Sequence, residues 1–279
     1  MFKKIRHVLR VFARSQSWSF ALDVARARTL ACAGVRGLPL AKIHWRGHEV
    51  SYRPATSDPL AIYQVLLRSH GKAEYYLPAT LQPEVILDIG SNIGSSILFF
   101  RETFPAAKIF GFEPNPETFQ VLQRNVGALP DVEVFNYGLG AADATVSVLF
   151  DGADFSRFMG KAEGADWSGP LAPIACEIRH AGDVTRNLGI TKADLIKIDC
   201  EGAEYDVLTS LPVDLLHHCK WIVGEMHDDS GFKLLALLAP HFDLDLKKRM
   251  FAPFFRFHAC NVACARALRG TFDRDALQR

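Results

Sequence analysis

VILDIGSNIG, residues 85–94, runs strand-forming aliphatics into two glycines, with an acid at position 88 between strand and turn. Glycine lacks a Cβ and tolerates positive φ, so a ligand can approach the backbone closely at Gly90 and Gly94. A dinucleotide site uses G-x-G-x-x-G, with the pyrophosphate at the helix N-terminus. Here the spacing is D-x-G-x-x-x-G, and Asn92 stands where a middle glycine would be. That spacing weakens a nicotinamide or flavin reading and admits a nucleoside donor lacking phosphates. Taken alone, the turn leaves both open.

Outward from this turn the chain alternates strand and helix. Strands are expected at 85–89, 108–112 and 132–137, and helices at 95–103 and 116–126, stopped or started by Pro105 and Pro116. Apolar runs alternating with ten-residue helices imply βαβ units and a parallel sheet. Residues 141–182 break the rhythm. Strands at 145–150 and 174–178 flank a loop rich in Gly, Asp and Ser, whose length marks it as functional or mobile. The α/β pattern resumes with strands at 194–198 and 221–225, helices at 203–211 and 231–238, and closing strands at 242–246 and 255–262. Upstream, 43–53 reads as a hairpin around Arg46-Gly47, and Ser57-Asp58-Pro59 as the start of a helix LAIYQVLLRSH. The economical parse is an α/β doubly wound domain, 43–279, with a β-rich insertion at 141–182 and a helical extension over 1–42.

Two further stretches place acids at strand ends. In IFGFEPNP, Glu113 closes the second strand, nineteen residues after Gly94. In a doubly wound sheet that acid lies beside the first turn, where its oxygens can accept both ribose hydroxyls. LIKIDCEGAEYDVL then runs a strand into Asp199, Glu201 and Glu204, with Gly202 allowing an abrupt turn. Ligands of open α/β sheets bind at the carboxyl ends of strands, so Asp199 and Glu201 aim at the crevice lined by Gly90 and Glu113. Glu204 falls in a first helical turn, where the helix dipole alone accounts for an acid. WIVGEMHDD adds Glu225 and His227, two residues apart and on one face of an extended chain. A histidine is the natural general base near neutral pH.

The composition is that of an ordinary globular protein, 49% hydrophobic and 23% charged, with a net charge of +1. No global field argues for nucleic acid. The charge is uneven, however. Residues 1–36 hold eight Lys or Arg against one acid, Asp23, a net +7, and the remainder carries −6. MFKKIRHVLRVFARS reads as a basic amphipathic helix. Such a helix can face solvent, touch an anionic membrane peripherally at the inner face, or serve as a transit peptide. Six cysteines show no disulfide or zinc spacing; Cys260 and Cys264 beside His258 read as core residues or thiols. No apolar run spans a bilayer. A reducing, cytoplasmic location is expected.

DIGSNIG, FGFEPNP, IKIDCEGAE and GEMH, in this order and spacing, resemble the FkbM family of S-adenosylmethionine-dependent methyltransferases. The resemblance covers roughly residues 50–250 and includes TSDPLAIYQVLL and the EYY before the first strand. Pro59 departs from it, standing where an aliphatic residue is expected. The resemblance implies a class I methyltransferase fold, a seven-stranded sheet with an antiparallel last strand. It also implies O-methylation of a hydroxyl on a sugar or related secondary metabolite. Carried over, Asp88, Gly90, Asn92 and Gly94 wrap the methionine part of the donor, Glu113 takes the ribose, and Asn136, Tyr137 and Gly138 lie near adenine. Asp199, Glu201 and Glu204 match the family's acidic motif.

On this reading His227 or Asp199 accepts the acceptor's proton while Glu201 orients its hydroxyls, with Glu204 and Glu225 on the acceptor side. A variant has Asp199, Glu201 and Glu225 holding a hard divalent cation, although no metal site is assigned from spacing. The loop at 151–172 is the expected lid or acceptor-selecting element. Two alternatives stand beside this reading. One is a nucleotide-dependent oxidoreductase, the other a non-catalytic, membrane-associated donor-binding member.

Overall fold

The computed structural model describes residues 2–35, 37–68, 75, 77–148, 173–227, 230–248 and 254–265. The chain opens with helices α1 (Phe2–Ser15) and α2 (Trp18–Cys32), then hairpin β1 (Ala41–Trp45) and β2 (His48–Tyr52), then α3 (Asp58–Ile62). There follow β3 (Val85–Ile89), α4 (Ser95–Thr103), β4 (Lys108–Phe112), α5 (Pro116–Val126) and β5 (Val132–Phe135). A smaller group comprises β6 (Gly138–Gly140), β7 (Ala144–Val148) and β8 (Ile174–His180). The α/β rhythm returns with α6 (Ala181–Asn187), β9 (Leu195–Ile198), α7 (Glu204–Ser210), α8 (Val213–His218) and β10 (Trp221–Met226). Helix α9 (Ser230–Leu238) and strands β11 (Phe242–Lys248) and β12 (Phe255–Asn261) complete it.

The main sheet has seven strands in the order β11-β12-β10-β9-β3-β4-β5. From β10 to β5 every pairing is parallel, while β12 runs antiparallel to both β10 and β11. This is the expected sheet with its antiparallel last strand. The chain travels outward from β3 to β5 and then returns to β9, so the order reverses between β3 and β9. A crevice opens at the carboxyl ends of strands at such a reversal.

Strand periodicity sends alternate side chains to opposite faces. Ile86, Ile97, Ile109, Leu195 and Trp221 join one buried cluster; Leu87, Ile89, Ile196, Ile198 and Phe257 join another. Burying each large aliphatic contributes roughly 1.5–3 kcal/mol. The N-terminal helices share the first cluster through Val11, Phe20 and Val24. The Tyr52 hydroxyl donates to Asp23 at 2.8 Å, tying α2 to β2.

Three local expectations change. The strand expected at 132–137 stops at Phe135, because the Asn136 amide donates to the carbonyl of Glu113 at 3.0 Å and turns the chain. Gly138 and Gly140 then pair with β8, where an added Cβ would lie 2.7 Å from Ile178. The helix expected from Ser57 onward is α-helical only to Ile62 and continues as one π-helical turn, Tyr63–Leu67. Its last carbonyls are met from outside, Leu66 by the Trp45 indole at 3.0 Å and Leu67 by Arg14 at 2.8 Å. The insertion takes the form of β7 and β8 pairing antiparallel beside β6. The segment 151–172, expected as a lid, lies outside the described residues.

Candidate active site

The turn after β3 is built on positive φ: +80° at Gly90, 48° at Asn92 and +90° at Gly94. Two backbone bonds, from the N–H groups of Gly90 and Ser91 to the Phe112 carbonyl, hold it against the end of β4. Gly90 packs so closely on β9's exit that a Cβ would sit 1.9 Å from the Asp199 carbonyl oxygen. A side chain at Gly94 would meet Val126 at 2.8 Å. The first glycine thus brings the donor turn against the acidic turn, and the second lets α5 pack beneath.

Glu113 bridges these elements. Its carboxylate accepts from the backbone N–H of Asn92 at 3.0 Å and of Asn115 at 2.9 Å. It is 8% exposed, and burial pushes its pKa up to about 7 against the opposing effect of those two N–H donors. Gly90, Asn92, Glu113, Gly138, Asp199 and Glu201 all line one cavity.

Asp88 is not among the cavity-lining residues. Expected to wrap the donor, it is fully buried, accepts from the Ser96 hydroxyl at 2.5 Å and pairs with Lys197 at 3.4 Å. Lys197, itself 2% exposed, also donates to the carbonyl of Ile89 at 3.2 Å and to that of Gly90. The pair fixes the turn from below. Gly94 likewise acts from beneath. Asn136 and Tyr137, expected near adenine, are not among the residues lining the cavity. Asn136 spends its amide on the Glu113 and Pro114 carbonyls, and Tyr137 is buried against Phe112, Phe135 and the Arg179 guanidinium. Gly138 alone of the three lines the cavity.

The acidic turn begins where the Asp199 N–H donates to the Ile89 carbonyl at 3.1 Å. Glu201 adopts φ 55° and Gly202 φ 106°, the sharp reversal that the glycine permits. Glu204, 1% exposed, caps the turn by accepting from the N–H groups of Cys200 at 3.1 Å and Gly202 at 3.0 Å. The same carboxylate lies 3.0 Å from Nδ1 of His227. On the other side of the ring, Nε2 faces Asp199 at 3.7 Å, Glu201 at 3.6 Å and Glu225 at 3.4 Å.

Four expected carboxylates thus converge on the expected imidazole, and their chemistry differs from expectation. Burial lowers the His227 pKa, but Glu204, Glu225, Asp199 and Glu201 outweigh it and push the pKa up to about 11. An imidazolium has no lone pair for a second proton. The four carboxylates thus favour the charged form of His227, which weighs against the expected role as general base. Burial and the Asp199 charge raise Glu201 above the usual carboxylate range, and the same two causes raise Glu225. A carboxylate poised upward in this way suits proton acceptance at neutral pH.

Two contributors, Lys197 and Arg256, carried too little sequence signal to be singled out. Lys197 hides inside an apolar strand. Arg256 comes from β12, 31 positions from its partner, and donates to Glu225 at 2.9 Å. Tyr75 packs against Phe99 and Phe100, and burial, with Asp199, Asp88 and Glu225 nearby, raises its phenol well above the usual value. Asp199, Glu201 and His227 also offer ligand atoms within 4.8 Å of one another, a donor set of the kind that holds a divalent cation.

The family described as methyltransferase FkbM domain matches residues 88–250, from Asp88 through the acidic turn and His227. The chain belongs to the FkbM methyltransferase family. With the sheet order above, the fold is that of a class I methyltransferase. Membership in the FkbM family sets aside the oxidoreductase alternative. The chain is 32% identical over 178 residues to the AMB antimetabolite synthetase AmbE of Pseudomonas aeruginosa, covering 52% of this chain and 8% of that one. It is 28% identical over 225 residues to the methyltransferase sdnD of Sordaria araneosa, covering 69% and 85%. It is also 30% identical over 142 residues to the 2-O-methyltransferase NoeI of Sinorhizobium fredii, covering 44% and 56%.

Proposed function

We propose that the chain is an S-adenosylmethionine-dependent O-methyltransferase acting on a hydroxyl of a small molecule or saccharide. The observation that carries this reading is one shared cavity. The glycine turn and Glu113 line it together with Asp199 and Glu201. The residues present suit the donor. Each Glu113 oxygen accepts a single backbone N–H, which leaves lone pairs for two vicinal ribose hydroxyls. Gly90 lines the cavity with bare backbone and lets the glycine turn lie against the acidic turn. Gly90, Asn92 and Glu113 would hold the donor, with Gly138 beside its base.

The donor, when bound, supplies an electrophilic methyl group on a sulfonium sulfur. The chain's own work is alignment and proton handling. Orienting a nucleophilic oxygen toward such a methyl can be worth several kcal/mol, on the order of ~7 kcal/mol in favourable cases. The Asp199–Glu201 pair takes up the hydroxyl proton at a carboxylate oxygen. His227 neutralises the pair and sets its position, and Glu204 and Arg256 hold His227 and Glu225. The relative described as a 2-O-methyltransferase supports oxygen as the atom methylated. No disulfide joins the described cysteines, which suits the reducing cytoplasm.

A second reading has Asp199, Glu201 and His227 hold a divalent cation that lowers the hydroxyl pKa, and the clustering of their ligand atoms favours it. One experiment separates these readings and the non-catalytic one. The protein is incubated with methyl-labelled donor and a panel of sugars and hydroxylated metabolites, with and without exhaustive chelation. Transfer that survives chelation supports the carboxylate base. Transfer lost on chelation and restored by magnesium, manganese or zinc supports the cation. Donor binding without transfer to any acceptor class sinks the enzymatic reading.

A further inference from the structure

The α1–α2 hairpin carries surface that its own core does not use. Val11 and Ser15 turn the inner face of α1 toward the domain. On the outer face Ile5 is 48% exposed and Leu9 51%, one turn apart. Trp18, 52% exposed, stacks on Phe12 at 3.9 Å and extends the same apolar strip onto α2. Leu22, one turn further, is 50% exposed. Isolated exposed apolar residues are ordinary, but four large ones in a connected strip call for a covering surface.

Beside the strip runs a row of exposed arginines, Arg6, Arg10 and Arg14, at i, i+4, i+8. Behind that row lies a cleft of 430 Å³ lined by His7, Arg10, Arg14, Tyr63 and Arg68. Arg14 is fixed there by its bond to the Leu67 carbonyl. A helix with apolar residues and a tryptophan on one side, and cations directly adjacent, lies in the plane of a membrane interface. The net +7 of residues 1–36 sits on a body of −6, so attraction to an anionic surface also orients the molecule. A second copy of the chain is a poor occupant. A two-fold contact through the strip would bring the two arginine rows toward each other.

We propose that the Ile5–Leu9–Trp18–Leu22 strip and its arginine row dock the protein on a membrane surface bearing anionic phosphate headgroups. Docking is peripheral, since no helix among the described residues is long and apolar enough to cross a membrane. Nothing in it depends on the reaction proposed above.

The test uses the full chain with vesicles of phosphatidylcholine alone and of phosphatidylcholine mixed with phosphatidylglycerol. Expected are co-sedimentation with the mixed vesicles only, weakening in high salt, and a blue shift of tryptophan emission that Trp18→Phe removes while binding persists. Leu9→Ser and Arg10→Glu should each lower partitioning by about tenfold or more, with an unchanged melting temperature. Failure to bind the mixed vesicles, equal binding to both vesicle types, or wild-type binding by both variants overturns the proposal. So does a dimer dissociated by Leu9→Ser without vesicle binding, which would make the strip a self-interface. Inorganic phosphate raising the melting temperature without vesicle binding would reduce the cleft to a free-anion site and overturn it equally.

Discussion

Glu204 and His227, 23 residues apart, meet at 3.0 Å, and the same carboxylate also caps the turn that carries Asp199 and Glu201. One buried group therefore sets both the backbone of the acidic turn and the tilt of the imidazole facing it. The proton on Nδ1 is held, and Nε2 is aimed at the three other carboxylates.

Replacing His227 by Ala should lower turnover at neutral pH by about 100-fold or more, the usual scale for disabling acid–base machinery. Without the imidazolium, Asp199, Glu201 and Glu225 repel one another and hold protons more tightly. The rising limb of the pH–rate profile should move to higher pH, while donor affinity stays within a few fold. A neutral-pH rate equal to wild type would remove His227 from the machinery.

Glu113 gives a pH dependence of binding. Its pKa, raised to about 7, leaves it partly protonated at neutral pH, and hydroxyl donors favour its charged form. Donor affinity measured by calorimetry should therefore strengthen as pH rises through about 7. Stability runs the other way. A carboxyl whose folded pKa lies above its unfolded value binds more protons when folded, so the unliganded protein loses stability as pH rises from the usual carboxyl range to about 7. Glu113→Gln should flatten both slopes and weaken the donor about tenfold or more.

Gly90→Ala places a Cβ 1.9 Å from a backbone oxygen at a φ of +80°. The acidic turn has to move. We expect a stability loss on the order of 2 kcal/mol and collapse of donor binding, read by thermal melting and calorimetry. A variant with unaltered donor affinity would show that the two turns need not touch.

Lys197→Met removes the cation beneath the donor turn and leaves the buried Asp88 carboxylate against the Ser96 hydroxyl without its counter-charge. Breaking such a pair typically costs about 3–5 kcal/mol. Lys197→Met combined with Asp88→Asn should recover a large part of that loss in chemical denaturation. Additive losses in the double variant would argue against the pair.

The sequence by itself determined the strand–helix alternation and the stations along the sheet's edge. These follow from local periodicity, from glycines whose positive φ no other residue adopts cheaply, and from acids placed at strand ends. Gly90, Glu113, Asp199 and Glu201 were legible for that reason. Tertiary structure alone decided what each group does. A pKa depends on burial and on charges brought from distant strands, so the carboxylates around His227 raise its pKa above the range of an ordinary histidine base. Asp88, whose position suggested a ligand, turns to a buried lysine that looked like part of an apolar strand. Asn136 spends its amide on backbone carbonyls, and Arg256 reaches Glu225 from the last strand, 31 positions away. Spacing along a chain records where a side chain is anchored; only packing fixes its partners and its charge.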